Sequence, residues 1–289
     1  MVNGYHTKMI AMGSWNSFGD SLIISKKLKM RNSVKKAKRS FFVFALAVFA
    51  IILGAGSTQA QQIKNVVLVH GAFADGSGWR ALYEVLTKKG FHVTIVQNPL
   101  TSLEDDVAAT KVALDNQDGP TVLVGHSWGG AVITEAGNHP KVAALVYVAA
   151  FQPDNGESAL QWLKTAPPAP ENGVLPPDDK GIVYYDKAKY HAGFCADIPK
   201  DLADFMYDSQ GAFYAKGFIT PITHAAWRDK PAFACIATED KSIAPEIQRA
   251  MYKRSNTKTV DVKGSHVIFM SQPQAVAKMI EEAAKVKAQ

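Results

Sequence analysis

Short apolar runs rich in Val and Ile recur along the chain from residue 64 onward and alternate with helical patterns. Gly, Pro or Asn flank these runs, and runs without polar alternation are typical of strands buried on both faces. Six strands are predicted, at Asn65–Val69, His92–Gln97, Thr121–Gly125, Val142–Ala149, Ala232–Thr238 and Thr257–Val262. Their succession predicts an α/β fold with a doubly wound, mostly parallel sheet of about six strands.

Apolar residues at helical spacing predict the helices between the first strands. Trp79, Leu82 and Leu86 share one face of a segment that ends near Gly90, a residue type favoured just after a helix. Ser102 precedes a second apolar stripe and is expected to cap that helix at its N-terminus. Each of these helices would connect two parallel strands.

The region between about residues 152 and 227 breaks this alternation. It contains eight of the fourteen prolines and many of the aromatic residues. So long an interruption between two sheet strands is not typical of a plain loop. We predict a small, mostly helical cap inserted after the fourth strand, whose aromatic rings either line a substrate pocket or only pack the core of the cap.

The first sixty residues differ from the rest in charge and pattern. They hold nine basic residues and one acid, whereas the remainder holds 23 basic and 25 acidic residues, so this segment accounts for the formal net charge of +6. Its basic residues precede an apolar run, Phe41–Leu53, and a stretch of small and polar residues that ends at Ala60. This order is typical of a secretory signal peptide, and the apolar run is shorter than the roughly 18 to 20 residues of a spanning helix.

We therefore predict a leader over residues 1–60 that is cleaved after Ala60, with Met30 as the expected start of translation. The protein would then be secreted or periplasmic, with one domain over residues 61–289; an uncleaved membrane anchor is the alternative. Residues 61–289 carry a formal net charge of −2. The positive net charge of the whole chain therefore does not indicate a nucleic-acid partner. No membrane contact is expected after cleavage, and the question of a homodimer stays open.

A Gly-x-Ser-x-Gly motif, Gly125 to Gly129, follows the third predicted strand and precedes a helix predicted over residues 131–137. A serine at such a sharp strand-to-helix turn is presented at the sheet edge beside a helix N-terminus, and the glycines let the two backbone segments approach closely. The motif alone is weak evidence, but its place between a strand and a helix strengthens it. Ser127 is the predicted nucleophile.

A base, and an acid that orients it, are expected downstream of the serine at the carboxyl ends of other parallel strands. His266 follows the sixth predicted strand in a Gly-Ser loop, and Asp240 follows the fifth. The adjacent Glu239, and Asp154 after the fourth strand, are the alternatives to Asp240. These positions predict that serine, histidine and acid meet at one edge of the sheet.

A tetrahedral intermediate needs two backbone N–H donors. The predicted donors are the amides of Trp128, directly after the serine, and of Ala72, in the loop after the first strand. That loop has the glycine spacing of a phosphate loop but lacks its Lys and Ser or Thr, and the next glycine-rich stretch lies too far from the strand for a dinucleotide fingerprint. We therefore expect neither a cofactor nor a metal. Cys195 and Cys235 are not expected to form a disulfide, because one lies in the predicted cap and the other in a predicted buried strand.

Four motifs taken together resemble the α/β-hydrolase superfamily, and within it the small-ester hydrolase branch that includes plant methylesterases, hydroxynitrile lyases and bacterial relatives. They are His70-Gly71-Ala72, Gly125-His126-Ser127-Trp128-Gly129-Gly130, Thr238-Glu239-Asp240-Lys241 and Gly264-Ser265-His266. The resemblance covers about residues 65–280, including the position of the cap. It implies a triad of Ser127, Asp240 and His266, with the amides of Ala72 and Trp128 as the oxyanion hole.

The resemblance also narrows the expected reaction. The similar hydroxynitrile lyases carry Thr where Gly71 stands and Lys where Val267 stands, so ester hydrolysis is expected rather than cyanide chemistry. The expected function is that of a serine carboxylesterase that cleaves small to medium, partly apolar esters through an acyl-enzyme on Ser127. Hydroxynitrile lyase, perhydrolase and C–C cleaving activities remain alternatives, and so does a non-catalytic ligand-binding protein on the same fold.

Overall fold

The computed structural model describes residues 26–27, 29–31 and 62–287. Contacts divide the chain into a unit over Met1–Gln59 and a unit over Ala60–Gln289, and in the first unit the described residues are helical. The apolar run of the predicted signal peptide and its cleavage site after Ala60 lie outside the described residues. None of the helices that are described is long and apolar enough to cross a membrane.

A six-stranded parallel sheet forms the centre of the second unit. The strands of the described residues are β1 (Asn65–Val69), β2 (His92–Val96), β3 (Thr121–His126), β4 (Val142–Val148), β5 (Ile182–Val183), β6 (Phe213–Tyr214), β7 (Ala232–Ala237) and β8 (Lys258–Val262). The sheet has the order β2-β1-β3-β4-β7-β8, and each neighbouring pair is parallel. The predicted α/β class and sheet are therefore confirmed, with each strand boundary within one residue of its predicted position.

The two outer strands are less buried than their sequences suggested. All six strands were expected to be covered on both faces, but β2 is partly exposed and β8 is exposed at every residue except Val262. The central strands β1 and β3 are buried at every residue. An edge strand has a neighbour on only one side, so β-branched residues such as those of β2 and β8 indicate a strand without indicating its burial.

Helices flank the sheet and continue beyond it. They are α1 (Arg80–Lys88), α2 (Leu103–Asp115), α3 (Trp128–Ala136), α4 (Ala159–Leu163), α5 (Lys187–Phe194), α6 (Lys200–Ser209), α7 (Ala215–Ile219), α8 (Pro245–Arg254), α9 (Ile268–Ser271) and α10 (Pro273–Ala283). In the layers beside the sheet, α1 packs on α10 and α2 packs on α3. As predicted, Ser102 caps α2, and its side chain accepts a hydrogen bond from the backbone N–H of Asp105.

The helix predicted over residues 131–137 begins earlier, at Trp128, directly after the candidate nucleophile. Gly129 and Gly130 are weak helix formers, so their sequence suggested a later start. The structure uses them for close backbone packing, since a Cβ on Gly130 would lie 2.2 Å from the backbone oxygen of Phe151. The N-terminus of α3 therefore lies at the serine itself.

Residues 152–227 form the insertion that follows β4. Helices α4 to α7 and a short 3₁₀ turn, Ala226–Arg228, make up most of its regular structure. It also contains an antiparallel pair, β5 with β6, which the sequence analysis missed because each strand has only two residues. Edge-to-face contacts between aromatic rings join this insertion to the loop after β1, for example between Phe73 and Tyr185. The insertion is called the cap below.

Candidate active site

Ser127 lies at a sharp turn between β3 and α3. Its backbone φ is 52°, in the left-handed region that residues other than glycine rarely adopt. The turn is tight because the chain passes close to itself: a Cβ on Gly125 would lie 2.4 Å from the backbone oxygen of Gly129, and one on Gly129 would lie 2.5 Å from that of Val69. Only glycine fits at these positions, and the serine, with its strained backbone, is held at the carboxyl edge of the sheet.

A chain of two hydrogen bonds joins Ser127, His266 and Asp240. The distance from Ser127 Oγ to His266 Nε2 is 2.8 Å, and that from His266 Nδ1 to Asp240 Oδ2 is 2.7 Å. All three residues are buried. Since the Asp240 carboxylate accepts the Nδ1 proton, Nε2 is left to accept the hydroxyl proton of the serine. The structure thus brings together the three side chains that the sequence analysis selected for nucleophile, base and orienting acid.

Asp240 is fixed by its own set of donors. Its Oδ1 accepts backbone N–H groups from Ser242 at 2.7 Å and Ile243 at 2.9 Å, and its Oδ2 accepts Gln248 Nε2 at 2.8 Å. These bonds occupy lone pairs of the carboxylate and fix its orientation beside the imidazole of His266. Gln248, on α8, is a supporting residue to which the sequence analysis gave no role.

The two alternative acids lie elsewhere. Glu239 points to Lys263 at 3.8 Å with more than half of its side chain exposed. Asp154 forms a bidentate pair with Arg228, with both N–O distances at 2.6 Å. This pairing, through the guanidinium, lowers the pKa of the Asp154 carboxyl. Neither acid forms a hydrogen bond to His266.

The residues predicted to supply the oxyanion amides border the serine. Trp128 is the first residue of α3, so its N–H has no partner within the helix, and Ala72 lines the cavity that contains Ser127. Among the described residues, neither amide donates to a protein acceptor. The loop of Ala72 also comes close to the nucleophile, since a Cβ on Gly71 would lie 2.7 Å from Ser127 Cβ.

Two buried neutral histidines support these loops. His70 Nδ1 donates to the carbonyl of Gly71, and its Nε2 accepts the N–H of Asn98, each at 2.9 Å. His126 Nε2 donates to the carbonyl of His266 at 3.0 Å. Burial lowers the pKa of both rings, that of His126 well below its ordinary value. Both residues therefore act as neutral connectors between loops of the site.

A buried acid behind the site was missed by the sequence analysis. Asp106, on α2, accepts Trp128 Nε1 on one oxygen and the N–H of Leu100 on the other, both at 2.7 Å. Burial raises the pKa of this carboxyl to about 6. In the sequence, Asp106 is one of three acids in the first turn of a helix, which suggests only an interaction with the helix dipole. Its hydrogen bond with Trp128 connects this acid to the residue that directly follows the nucleophile.

Ser127 and His266 open into a cavity of about 510 Å³ between the sheet edge and the cap. This volume is typical of a small-molecule site. The wall near the serine is aromatic, with Phe73, Phe151, Phe194 and Phe218 in it, and Leu163, Ile243 and Ile247 extend it. Of the aromatic residues of the cap, Phe194, Phe218 and Tyr185 line this cavity, so some of the rings do more than pack the core of the cap.

No metal-binding cluster is evident in the described part of the chain, where no three His, Cys, Asp or Glu side chains are grouped to hold an ion. Cys195 and Cys235 are both buried and free, as the sequence analysis expected. Burial raises the pKa of each thiol to about 12. The chemistry that the site can perform with its own groups is nucleophilic attack by Ser127 with His266 as the base.

The chain is similar to known hydrolases in sequence. The sequence profile of the Alpha/beta hydrolase family matches residues 66–279. The chain is 30% identical over 166 residues to a carbendazim hydrolyzing esterase of Nocardioides sp., covering 51% of this chain and 65% of that protein. It is 25% identical over 259 residues to putative methylesterase 14 of Arabidopsis thaliana, a chloroplastic protein, covering 78% of this chain and 73% of that one.

Solved structures give the same result for the fold. A pyrethroid hydrolase from Sphingobium faniae JZ-2 superposes with a TM-score of 0.65 at 22% identity, covering 78% of this chain and 98% of that chain. At this identity the likeness establishes a shared fold and leaves the substrate to be argued from the site.

Proposed function

The chain belongs to the alpha/beta hydrolase family, and from this premise we propose that it is a serine carboxylesterase with Ser127 as nucleophile, His266 as base and Asp240 as orienting acid. The observation that carries the proposal is the continuous chain of hydrogen bonds from Ser127 Oγ through His266 to Asp240. Esterases among the similar proteins support the same reaction class.

The reaction follows from the positions of the donors and acceptors. His266 Nε2 takes the proton of the Ser127 hydroxyl as Oγ attacks the ester carbonyl, and Asp240 stabilises the imidazolium that forms. The amides of Ala72 and Trp128 donate to the oxyanion of the tetrahedral intermediate. His266 then protonates the leaving alcohol. Water, activated by the same imidazole, attacks the acyl-enzyme and releases the acid.

The cavity suits small or medium esters with an apolar part. Its aromatic and aliphatic walls suit an apolar acyl or alcohol group beside Ser127. Three exposed lysines, Lys164, Lys189 and Lys241, also line it, and Asp240 is the one acid among the described lining residues. A substrate panel should therefore pair neutral esters with esters of similar length that carry an anionic group away from the scissile bond.

Space around the nucleophile favours hydrolysis over hydroxynitrile cleavage. A threonine side chain in place of Gly71 would collide with Ser127, because even a Cβ there would lie 2.7 Å from Ser127 Cβ. Val267, where the similar lyases carry Lys, is fully buried and apolar. The site therefore lacks both groups that the resemblance assigns to cyanide chemistry.

The test of the proposal is hydrolysis of short-chain p-nitrophenyl esters by the wild type and by Ser127→Ala. We expect the substitution to reduce kcat/KM by about 1,000-fold or more while the circular dichroism spectrum and Tm stay close to wild type. The control is Ser209→Ala, at the C-terminal end of α6, which should leave turnover unchanged. Equal turnover by wild type and Ser127→Ala would rule the proposal out.

We also propose that residues 1–60 direct export and that cleavage follows Ala60, which would make the mature enzyme secreted or periplasmic. The basic segment followed by the apolar run Phe41–Leu53 supports this proposal. Mass spectrometry of the N-terminus of the protein made in its native host is the test. We expect a mature chain that begins at Gln61, whereas peptides from residues 31–59 in the mature protein would contradict cleavage.

A further inference from the structure

The loop that carries His266 is held by a carboxylate from the cap. Asp197 lies between α5 and α6, and its Oδ2 accepts the backbone N–H of Ser265 at 2.9 Å. Its Oδ1 accepts the hydroxyl of the same serine. Ser271 Oγ, from α9, donates to Oδ2 at 2.7 Å. Two of the three donors on this carboxylate thus belong to the residue that directly precedes the base.

The backbone of the loop is shaped for this contact. Gly264 has a φ of 158°, and a Cβ at this position would lie 2.6 Å from Asp197 Oδ2. Any other residue at 264 would push the carboxylate away from Ser265. All three hydrogen bonds that Asp197 accepts among the described residues come from the His266 loop and α9.

A second contact from the same part of the cap reaches the imidazole. Phe194, the last residue of α5, packs edge-to-face on the His266 ring with the centroids 5.0 Å apart. From the sheet side, His126 holds the backbone carbonyl of His266 and Asp240 holds Nδ1. The position of the base is therefore set from two sides, by sheet loops and by the cap.

We propose that Asp197 is a positioning residue for His266, and that through it the cap takes part in setting the reactive position of the base. This inference rests on the proposed function, because it assigns His266 the role of general base. A loop freed on one side would let the imidazole leave the geometry in which Nε2 faces Ser127 Oγ at 2.8 Å, and misplacement by about 1 Å can reduce a rate by as much as about 100-fold.

The experiment compares Asp197→Ala with Asp197→Asn in the full chain. Asp197→Ala removes every bond to Ser265, so we expect kcat to fall by about 10-fold with little change in KM. Asp197→Asn should retain most of the activity, because its amide oxygen can accept the Ser265 N–H while its amide NH₂ donates to Ser265 Oγ. Unchanged kcat in Asp197→Ala, or equal losses in both variants, would overturn the proposal.

Two further variants separate positioning from a structural role. Ser271→Ala removes the third bond to Asp197 without touching the His266 loop, so kcat should stay within about 2-fold of wild type. Ser265→Ala keeps the backbone bond and loses the hydroxyl bond, so we expect a loss of about 3-fold in kcat, which also tests the proposal if Asp197→Ala does not fold. Equal losses in Ser271→Ala and Ser265→Ala would contradict it.

A readout independent of turnover separates this inference from the proposed esterase activity. The Nδ1 proton that His266 shares with Asp240 should give a downfield proton NMR signal in the wild type. In Asp197→Ala this signal should broaden or vanish through faster exchange, and in Asp197→Asn it should persist. A wild type that cleaves no ester would overturn the function alone, whereas a signal that stays unchanged in Asp197→Ala would overturn the positioning role.

Discussion

The sheet edge and the cap build the two halves of the site in different ways. On the sheet edge, each group that would do chemistry follows a strand end, and part of its support comes from the adjacent backbone: Asp240 accepts the amides of Ser242 and Ile243, two and three residues further on. In the cap, the contacts that shape the cavity span long stretches of chain, as between the Tyr190 hydroxyl and the Phe73 carbonyl. Short segments of sequence therefore indicate where the chemical groups lie, whereas the shape of the cavity depends on packing between distant segments.

This difference separates reaction from selectivity. The turn at Ser127 and the loops after β7 and β8 would perform acyl transfer on any ester that reached them. The cap supplies the rings of Phe194 and Phe218 to the cavity wall, so we expect it to influence which esters reach them. Asp197 joins the two halves, since it contacts the residue beside the base from the cap. Asp106 contacts the residue after the nucleophile from α2, behind the sheet edge.

The largest effect is expected on the sheet edge, from Asp240→Asn. The amide would keep the shape of the carboxylate but would no longer favour the tautomer of His266 that accepts a proton at Nε2, so kcat should fall by about 1,000- to 10,000-fold. Glu239→Gln and Asp154→Asn are matched controls and should change kcat by less than about 2-fold, because both acids pair with surface cations. Residual activity above about a tenth of wild type in Asp240→Asn would contradict the assignment.

The next prediction concerns Asp106, which contacts Trp128 from behind the sheet edge. Burial raises the pKa of this carboxyl to about 6, so the folded state favours the protonated form. The stability that protonation contributes is therefore full below the unfolded pKa of about 4 and is lost as the pH rises through about 6. We expect the unfolding free energy of wild type, relative to Asp106→Asn, to fall by roughly 2 kcal/mol between about pH 4.5 and about pH 7.5 in urea denaturation. A difference that does not vary with pH would count against a buried, titrating Asp106.

A smaller effect is expected in the cap wall, from Phe218→Leu. Phe218 packs on Trp128 and Phe213 and lines the cavity, so the smaller side chain should widen the pocket near the nucleophile. The ratio of kcat/KM for p-nitrophenyl octanoate to that for the acetate should rise by about 3- to 10-fold, with kcat for the acetate little changed. An unchanged ratio would mean that this ring packs the core of the cap without selecting the substrate.

The smallest difference is expected between the alkylation rates of the two cysteines, one in the cap and one in the sheet. Cys195 lies at the end of α5 in the cap and Cys235 lies in β7, and burial raises the pKa of both thiols to about 12. Iodoacetamide should therefore react slowly with both in the native protein. We expect Cys195 to react first, because the cap should open locally more readily than the centre of the sheet. Peptide mass spectrometry measures the labelling of each cysteine over time. Faster labelling of Cys235 than of Cys195 would contradict the expectation that the cap opens more readily than the sheet.

The sequence predicted the sheet half of the molecule well because its signals are local. The third strand, the Gly-x-Ser-x-Gly turn and the acid and histidine after later strands each occupy a few adjacent residues, and parallel strands bring their carboxyl ends together. The two-residue strands β5 and β6 were missed because they form only through pairing with each other. Asp106 and Asp197 were missed, and Gln248 was given no role, because their partners, Trp128, Ser265 and Asp240, are identified only by tertiary contacts.

Covalent labelling shows whether Ser127 is an activated nucleophile. An alkyl fluorophosphonate added to the wild type should give a single adduct, mapped by peptide mass spectrometry to Ser127, and His266→Ala should slow its formation by about 100-fold or more. The same probe should leave Ser127→Ala unlabelled. An unlabelled wild type, or an adduct on another residue, would contradict the account and favour a ligand-binding protein on a hydrolase fold.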